Sequence, residues 1–459
     1  MERQAIAQWA ACAGLVLDPA QVVSITGKDP IFDTAFPIGE GAAVALALVG
    51  QAANRLGRLR GQRSQEVSVD VRHAAASLLS FALLALDGAG VAPFEAPVLS
   101  GFFPCQGGRW IHLHAGFDEG RHTLKTLGLS LQADWAEITA FTSRCDAFEL
   151  EDRLASLHLC AAVARSWSEW TTSSQGRWLA GRSAVEIVRL GDAPPEALPE
   201  GPRPMSDVRV LDLTRVLAGP TCARSLAEHG ADVLHVTAPG LPTFDRFEMD
   251  TGHGKRQAYL DLNDAYQAQQ VRGLVSDCDV FSQSYRLGAL ARRGLGPAEV
   301  AALRPGVVYV SETCYGHDGP WALRPGWEQL AQTATGIAVA QNAAAPALVP
   351  VAFTDYTTGY LAAAGVMEAL RRRATEGGSW HVRVSLAQTS LWVQHVRSVR
   401  DRAQATGLGD VTPWLQSRQT PYGRMTFLGP ALHMSETMPY WELPSAPVGS
   451  GMPVWASPR

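Results

Sequence analysis

Lysine is almost missing from this chain. Of 39 basic residues only Lys28, Lys125 and Lys255 are lysines, so amine chemistry has three candidates and most positive charge is permanent guanidinium. Any excess of positive charge is missing too. Acidic residues number 44 and the formal net charge is −5, which leaves no basic field to condense on a phosphate backbone or an anionic bilayer and excludes nucleic acid as a partner class. No stretch of about 18 uncharged apolar residues occurs. The opening MERQAIAQWAACAGLVLDPA lacks a basic region leading into a clean apolar core. The expectation is a cytoplasmic chain that neither crosses nor binds a membrane. Seven cysteines (Cys12, Cys105, Cys145, Cys160, Cys222, Cys278 and Cys314) are scattered without a CxxC pair. That argues against a disulfide framework or a metal cluster and for reduced thiols.

What is present suffices for two or three domains: 459 residues, 46% of them hydrophobic. Five prolines fall within 192–207 (DAPPEALPEGPRPMSD), a composition that holds neither helix nor central strand and marks a linker. Beyond it the pattern is regular over 208–400. VRVLDLT reads as a strand, Gly219 and Pro220 open a helix that stops at Gly230, and ADVLHVT is the next strand. QAYLDL, DVFSQSY and GVVYVSE continue the alternation, which predicts an α/β, doubly wound, mostly parallel sheet.

Asp355 precedes a helical segment, TTGYLAAAGVMEALRRR, which ends at Gly377 and Gly378 before WHVRVSL. A similar unit stands near the start. GAAVALALVGQAANRLGRLR leads through Gly61 into QEVSVDV, and a constant shift of 315 residues superposes Gly50 on Gly365 and Val67 and Val69 on Val382 and Val384. Residues 1–91 therefore read as a partial, degenerate repeat, with Glu40 opposite Asp355 as either a second carboxylate or, the favoured reading, a remnant. Residues 92–191 read as a smaller α/β or α+β domain. Residues 401–459 read as a segment that wraps over another surface.

Few constellations stand out chemically. His112 and His114 share one face of a strand, but no carboxylate or thiol accompanies them at ligand spacing, and no metal is assigned. The loop Thr214 to Pro220 has one glycine where a dinucleotide fingerprint needs three. Lys255 and Arg256 enter one strand and Arg286 and Arg292 follow another, placing cations where an open sheet binds anions. Asp355, ahead of a long helix, is a natural N-cap. Equally, an ionised carboxylate in the helix dipole suits nucleophilic catalysis. Sequence physics leaves both readings open.

Taken together, VRVLDLTRVLAGPTCARSLAEHGADVLHV, GHGKRQAYLDL, LGALARRGLG, VVYVSETCYGHDGP, PGWEQLAQTATG and FTDYTTGYLAAAGVMEALRRR resemble the class III CoA-transferases, the formyl-CoA and carnitine-CoA transferase group. The resemblance implies that Asp355 is the nucleophilic aspartate. It places Leu217 and Ala218 along the CoA site, Lys255 and Arg256 near the nucleotide, Arg292 on the CoA phosphates, and Tyr315 and Gly316 by the acyl pocket. The implied activity moves CoA between an acyl-CoA and a small carboxylic acid through an aspartyl anhydride and an aspartyl-CoA thioester, with no tightly bound cofactor. N–H groups from Tyr356 to Gly359 are candidates for stabilising the oxyanions. The racemase branch of the family is disfavoured, because Trp327 and Glu328 stand where its His-Asp pair would be. An inactive CoA-binding scaffold and an isomerase or racemase remain the alternatives. Two departures accompany the resemblance: Thr237 replaces the usual glutamate, and a small-domain-like segment lies ahead of the linker. One chain standing in for two subunits, or a homodimer, are the assemblies left open.

Overall fold

The computed structural model describes residues 1–93, 97–117, 119–198, 200–396 and 404–456. Pro199 of the expected linker and the boundary expected after residue 400 lie outside them. The sequence Arg209–Leu213 is buried along its whole length, as a strand covered on both faces must be. It sits centrally in a sheet of seven strands in the spatial order Lys255–Tyr259, Asp232–Thr237, Arg209–Leu213, Val280–Gln283, Val308–Thr313, Ser379–Ser385 and Val185–Gly191. The first six are parallel and the last is antiparallel. The protein is thus α/β with a doubly wound, mostly parallel sheet. Chain order reverses between Arg209–Leu213 and Val280–Gln283, which opens a crevice beyond their carboxyl ends.

Val185–Gly191 pairs with Ser379–Ser385, so the unit read at 92–191 gives its last strand to the main sheet. The rest of that unit is a three-stranded antiparallel sheet, Gly101–Pro104, Trp110–Leu113 and Ala161–Val163. It has its own core, which includes Phe103, Ile111, Ile138, Leu154 and Val163.

The two segments related by the shift of 315 residues form the same succession of elements. Helix Ile38–Leu59, strand Val67–Asp70 and helix Val71–Ser77 correspond, at the shift of 315, to helix Phe353–Glu376, strand Ser379–Ser385 and helix Leu386–Val396. Flanking strands correspond as well. Val67–Asp70 has Val23–Thr26 parallel on one side and Leu432–Met434 antiparallel on the other. Ser379–Ser385 has Val308–Thr313 and Val185–Gly191 in those places. A Cβ on Gly50 would lie 2.8 Å from Val67 and from Leu432, and one on Gly365 would lie 2.7 Å from Val185 and 2.9 Å from Val382. The same close approach of helix to sheet thus requires glycine twice. The C-terminal segment completes the N-terminal unit: Leu415–Thr420 and Gly423–Leu428 form a hairpin against Ala85–Leu86. Both long helices are buried over nearly their full length because they pack on each other as well as on sheets.

Candidate active site

Asp355 occupies the first turn of helix Phe353–Glu376, inside the helix rather than at its N-cap. The capping role belongs to another acid. Glu328, on helix Glu328–Ala334, accepts the Thr354 N–H at 2.7 Å and a Gln332 amide N–H at 3.1 Å, and also takes the Asp355 N–H. Asp355 is thereby released from backbone work. The N–H groups of Tyr356 to Gly359, expected to face oxyanions, lie within the helix. Tyr356 N–H already bonds the Ala352 carbonyl at 3.2 Å, so the helical ladder consumes these donors.

Three carboxyls converge here. Burial, then the proximity of Glu328 and of Glu312, raises the Asp355 pKa well above the carboxylate range. Burial likewise raises Glu328. Glu312, at the carboxyl end of Val308–Thr313, is pushed up to about 8 by burial, opposed by a bond from the Gly219 N–H. Burial and the two neighbouring acids therefore oppose the ionised Asp355 expected from the helix dipole. A dipole term of about 0.3–1 kcal/mol is worth less than one pKa unit and loses to desolvation, which is worth up to about 3–5 units.

Two cavities meet at this carboxyl. One, of about 260 Å³, lies at the strand-order reversal and is lined by Arg215, Tyr285, Arg286, Cys160, Ala218 and Glu312 among others. The other, of about 430 Å³, lies under the small domain against Phe81, Phe102, His112, His114, Phe244 and Phe247. Val216, Leu217, Trp327, Glu328 and Asp355 border both. Val216 is held at φ 73°, a left-handed conformation costly for a β-branched residue, and this bend aims Leu217 into the junction.

The sequence-derived residues divide. Asp355, Leu217 and Ala218 come together. Lys255 does not join them, because its ammonium is buried at 2.9 Å from the Asp212 carboxylate and 2.9 Å from the Pro220 carbonyl. Arg256 pairs with Asp232 and lines a different cavity, with Arg203 and Arg209 at the amino ends of the strands. Arg292 is exposed in the loop that follows Val280–Gln283, on the carboxyl side where Arg286 borders the crevice. Tyr315 is buried beneath Gly326, which lines the crevice, and Gly316 packs on Leu179; neither borders a cavity at Asp355. His112 and His114 are kept neutral by burial, at about 3 and about 4. His114 stacks on Trp327 with ring centroids 4.8 Å apart.

Comparison with known proteins bears on this arrangement. Residues 205–420 match the model of CoA-transferase family III. The chain is 32% identical to the acetyl-coenzyme A transferase nodX of Hypoxylon pulicicidum, over 74% of its own length and 66% of that protein's. It is 30% identical to an acyl-CoA transferase of Gibberella moniliformis over 75% of its length and 68% of that protein's. The chain belongs to CoA-transferase family III. The mouse member succinyl-CoA:glutarate CoA-transferase is 32% identical over 44% of this chain and 48% of its own. The chain thus spans about two thirds of the fungal members and half of the mouse member. A CAIB/BAIF family protein from Brucella suis aligns with 49% of the chain and 65% of its own at 26% identity and a TM-score of 0.40. Relative to the family motifs, sequence reasoning missed Glu312 and gave the side chains of Arg215 and Glu328 no role. Only the three-dimensional convergence of distant segments reveals them.

Proposed function

We propose that the protein transfers coenzyme A between an acyl-CoA and a carboxylic acid, with Asp355 as the acyl carrier. The observation that carries this reading is the position of one carboxyl, that of Asp355, at the junction of a crevice bearing Arg215 and Arg286 and an apolar chamber. The crevice suits the polar arm of CoA, and the chamber suits the acyl group.

The electrostatics favour the covalent states. An ionised Asp355 is destabilised by burial and by Glu328 and Glu312, whereas an aspartyl anhydride or thioester carries no charge there. Once its proton has passed to solvent, the Asp355 carboxylate attacks the thioester carbonyl; the C–S bond breaks, giving an anhydride and CoA thiolate. The thiolate attacks the aspartyl carbonyl, forming aspartyl-CoA and expelling the first carboxylate. A second carboxylate attacks that thioester and releases the thiolate, which attacks the acyl carbonyl of the new anhydride. The product is a new acyl-CoA, and Asp355 is restored as a carboxylate. Leu217 and Trp327 shield the junction and so limit hydrolysis of the anhydride.

Hydroxylamine added during turnover with an acyl-CoA tests this directly. A hydroxamate at Asp355, identified by peptide mass spectrometry and missing from Asp355→Asn, is expected. Full acyl-CoA binding without any label would overturn it.

A further inference from the structure

The apolar chamber carries information on which acyl group the protein takes. We infer that the acyl group exchanged at Asp355 is uncharged and apolar, of aryl or branched aliphatic class, and that dicarboxylic acyl groups are refused. This rests on the functional reading above and narrows it.

The chamber is walled by Phe81, Phe102, Phe244, Phe247 and Trp327, with Val349 and Val351 beside them. Among the described residues no lysine or arginine lines it. Arg246, outside that lining, is held over the Phe81 ring at 5.8 Å from its centroid. His112 and His114 supply no charge near neutrality, because burial holds both well below their ordinary range. The remaining titratable groups of the wall, Asp355 and Glu328, are acids. A second carboxylate on the acyl chain would enter without a cation and beside carboxyls, and burying an unpaired charge is among the costliest transfers a binding site can impose.

The walls also have a shape suited to rings. Phe81 meets Phe247 edge-on at 4.9 Å and Phe244 meets Phe247 edge-on at 5.4 Å, the mutual geometry aromatic rings prefer, so three rings of the lining form one cluster. The neighbouring crevice is built on opposite lines. There Arg215 and Arg286 are present, Arg215 lying over the Phe117 ring at 4.7 Å and Arg286 paired with Glu119. Cation-bearing and cation-free spaces on either side of one carboxyl give the substrate a direction: the phosphorylated CoA arm one way, the acyl tail the other.

The full chain should be offered phenylacetyl-CoA, benzoyl-CoA and isovaleryl-CoA, and separately succinyl-CoA and glutaryl-CoA, each with its matching labelled free acid as acceptor. Transfer is read by chromatography and Asp355 labelling by mass spectrometry. The best apolar thioester should exceed the best dicarboxylic one by about tenfold or more in kcat/KM. Phe102→Arg should narrow or reverse that ratio. Dicarboxylic thioesters used equally or better by the unaltered chain would overturn the inference while leaving CoA transfer intact. Failure of every thioester to label Asp355 would overturn the functional reading, and this inference with it.

Discussion

The two helix–strand–helix units begin with the same device and end in different surroundings. In the second, Glu328 accepts backbone N–H groups of Thr354 and Asp355. In the first, Asp29 accepts those of Gly39 and Glu40, the latter at 2.7 Å, and these are the positions 315 residues earlier. Each helix is therefore started by an acid from outside it and carries a second acid in its first turn. Asp29 is raised to about 6, chiefly by burial and partly by Glu40, just as Glu328 and Asp355 are raised. The third member differs: strand register aligns Glu312 with Val384 and Ile25 with Val69, so isoleucine stands where the second unit has its third carboxyl. Glu40 is 2% exposed, and Asp355 opens onto two cavities. A paired acid at a helix start is thus a packing arrangement that both repeats retain. What differs is the space around it.

Several substitutions would break or sharpen this comparison. The largest effect is expected at the paired positions themselves. Asp355→Asn should lower the transfer rate by on the order of 10³-fold or more, whereas Glu40→Gln should leave it within about twofold, since Glu40 borders no substrate space. Comparable losses at both positions, measured as steady-state rates of folded protein, would mean that the first repeat is active as well.

Next is the pH dependence. Transfer needs an ionised Asp355, whose pKa is raised by burial and then by Glu328. Glu328→Gln keeps an acceptor for the Thr354 N–H and removes the neighbouring charge, so the acidic limb of the kcat/KM profile should move to lower pH. An unmoved limb would place the titration elsewhere.

Stability should show the third difference. Glu312 has a folded-state pKa of about 8 against an ordinary 4.5. Between those values the native state holds a proton that the unfolded state has lost, so stability falls as pH rises through that window. Glu312→Gln, which imitates the uncharged position of Ile25, should flatten the decline of Tm between about pH 5 and 8. Steeper decline would contradict the assignment.

The smallest contrast is expected where the repeats agree. Gly50→Ala and Gly365→Ala each push a methyl against two strand side chains. An overpacking cost of about 1–3 kcal/mol, offset by about 1 kcal/mol of helix propensity, should lower Tm similarly for both. A tolerated alanine at one site alone would show that the helix-to-sheet spacing is not shared.

The parallel sheet was legible because periodicity and turn residues act locally: the βαβ alternation after residue 208 is written in adjacent residues. The strand Val185–Gly191 was misassigned to the small domain because its partner, Ser379–Ser385, is nearly 200 residues away along the chain, and pairing at that distance leaves no local mark. Of the residues bordering the two cavities, Asp355, the Leu217–Ala218 turn and Arg286 stood out in the sequence. Lys255 looked like a ligand for phosphate, yet a buried ammonium needs a counter-ion, and Asp212 supplies it. Glu312 and Glu328 looked ordinary, since nothing in their neighbourhoods signals that three separate segments end at one point.

The intact mass of the full chain after incubation with phenylacetyl-CoA, followed by peptide mapping, tests the role of Asp355 most directly. An adduct of CoA less water on Asp355, formed by the unaltered chain and lost in Asp355→Asn, is the predicted result. A protein that turns over thioesters with no adduct there, or with the adduct on Glu40, would contradict it.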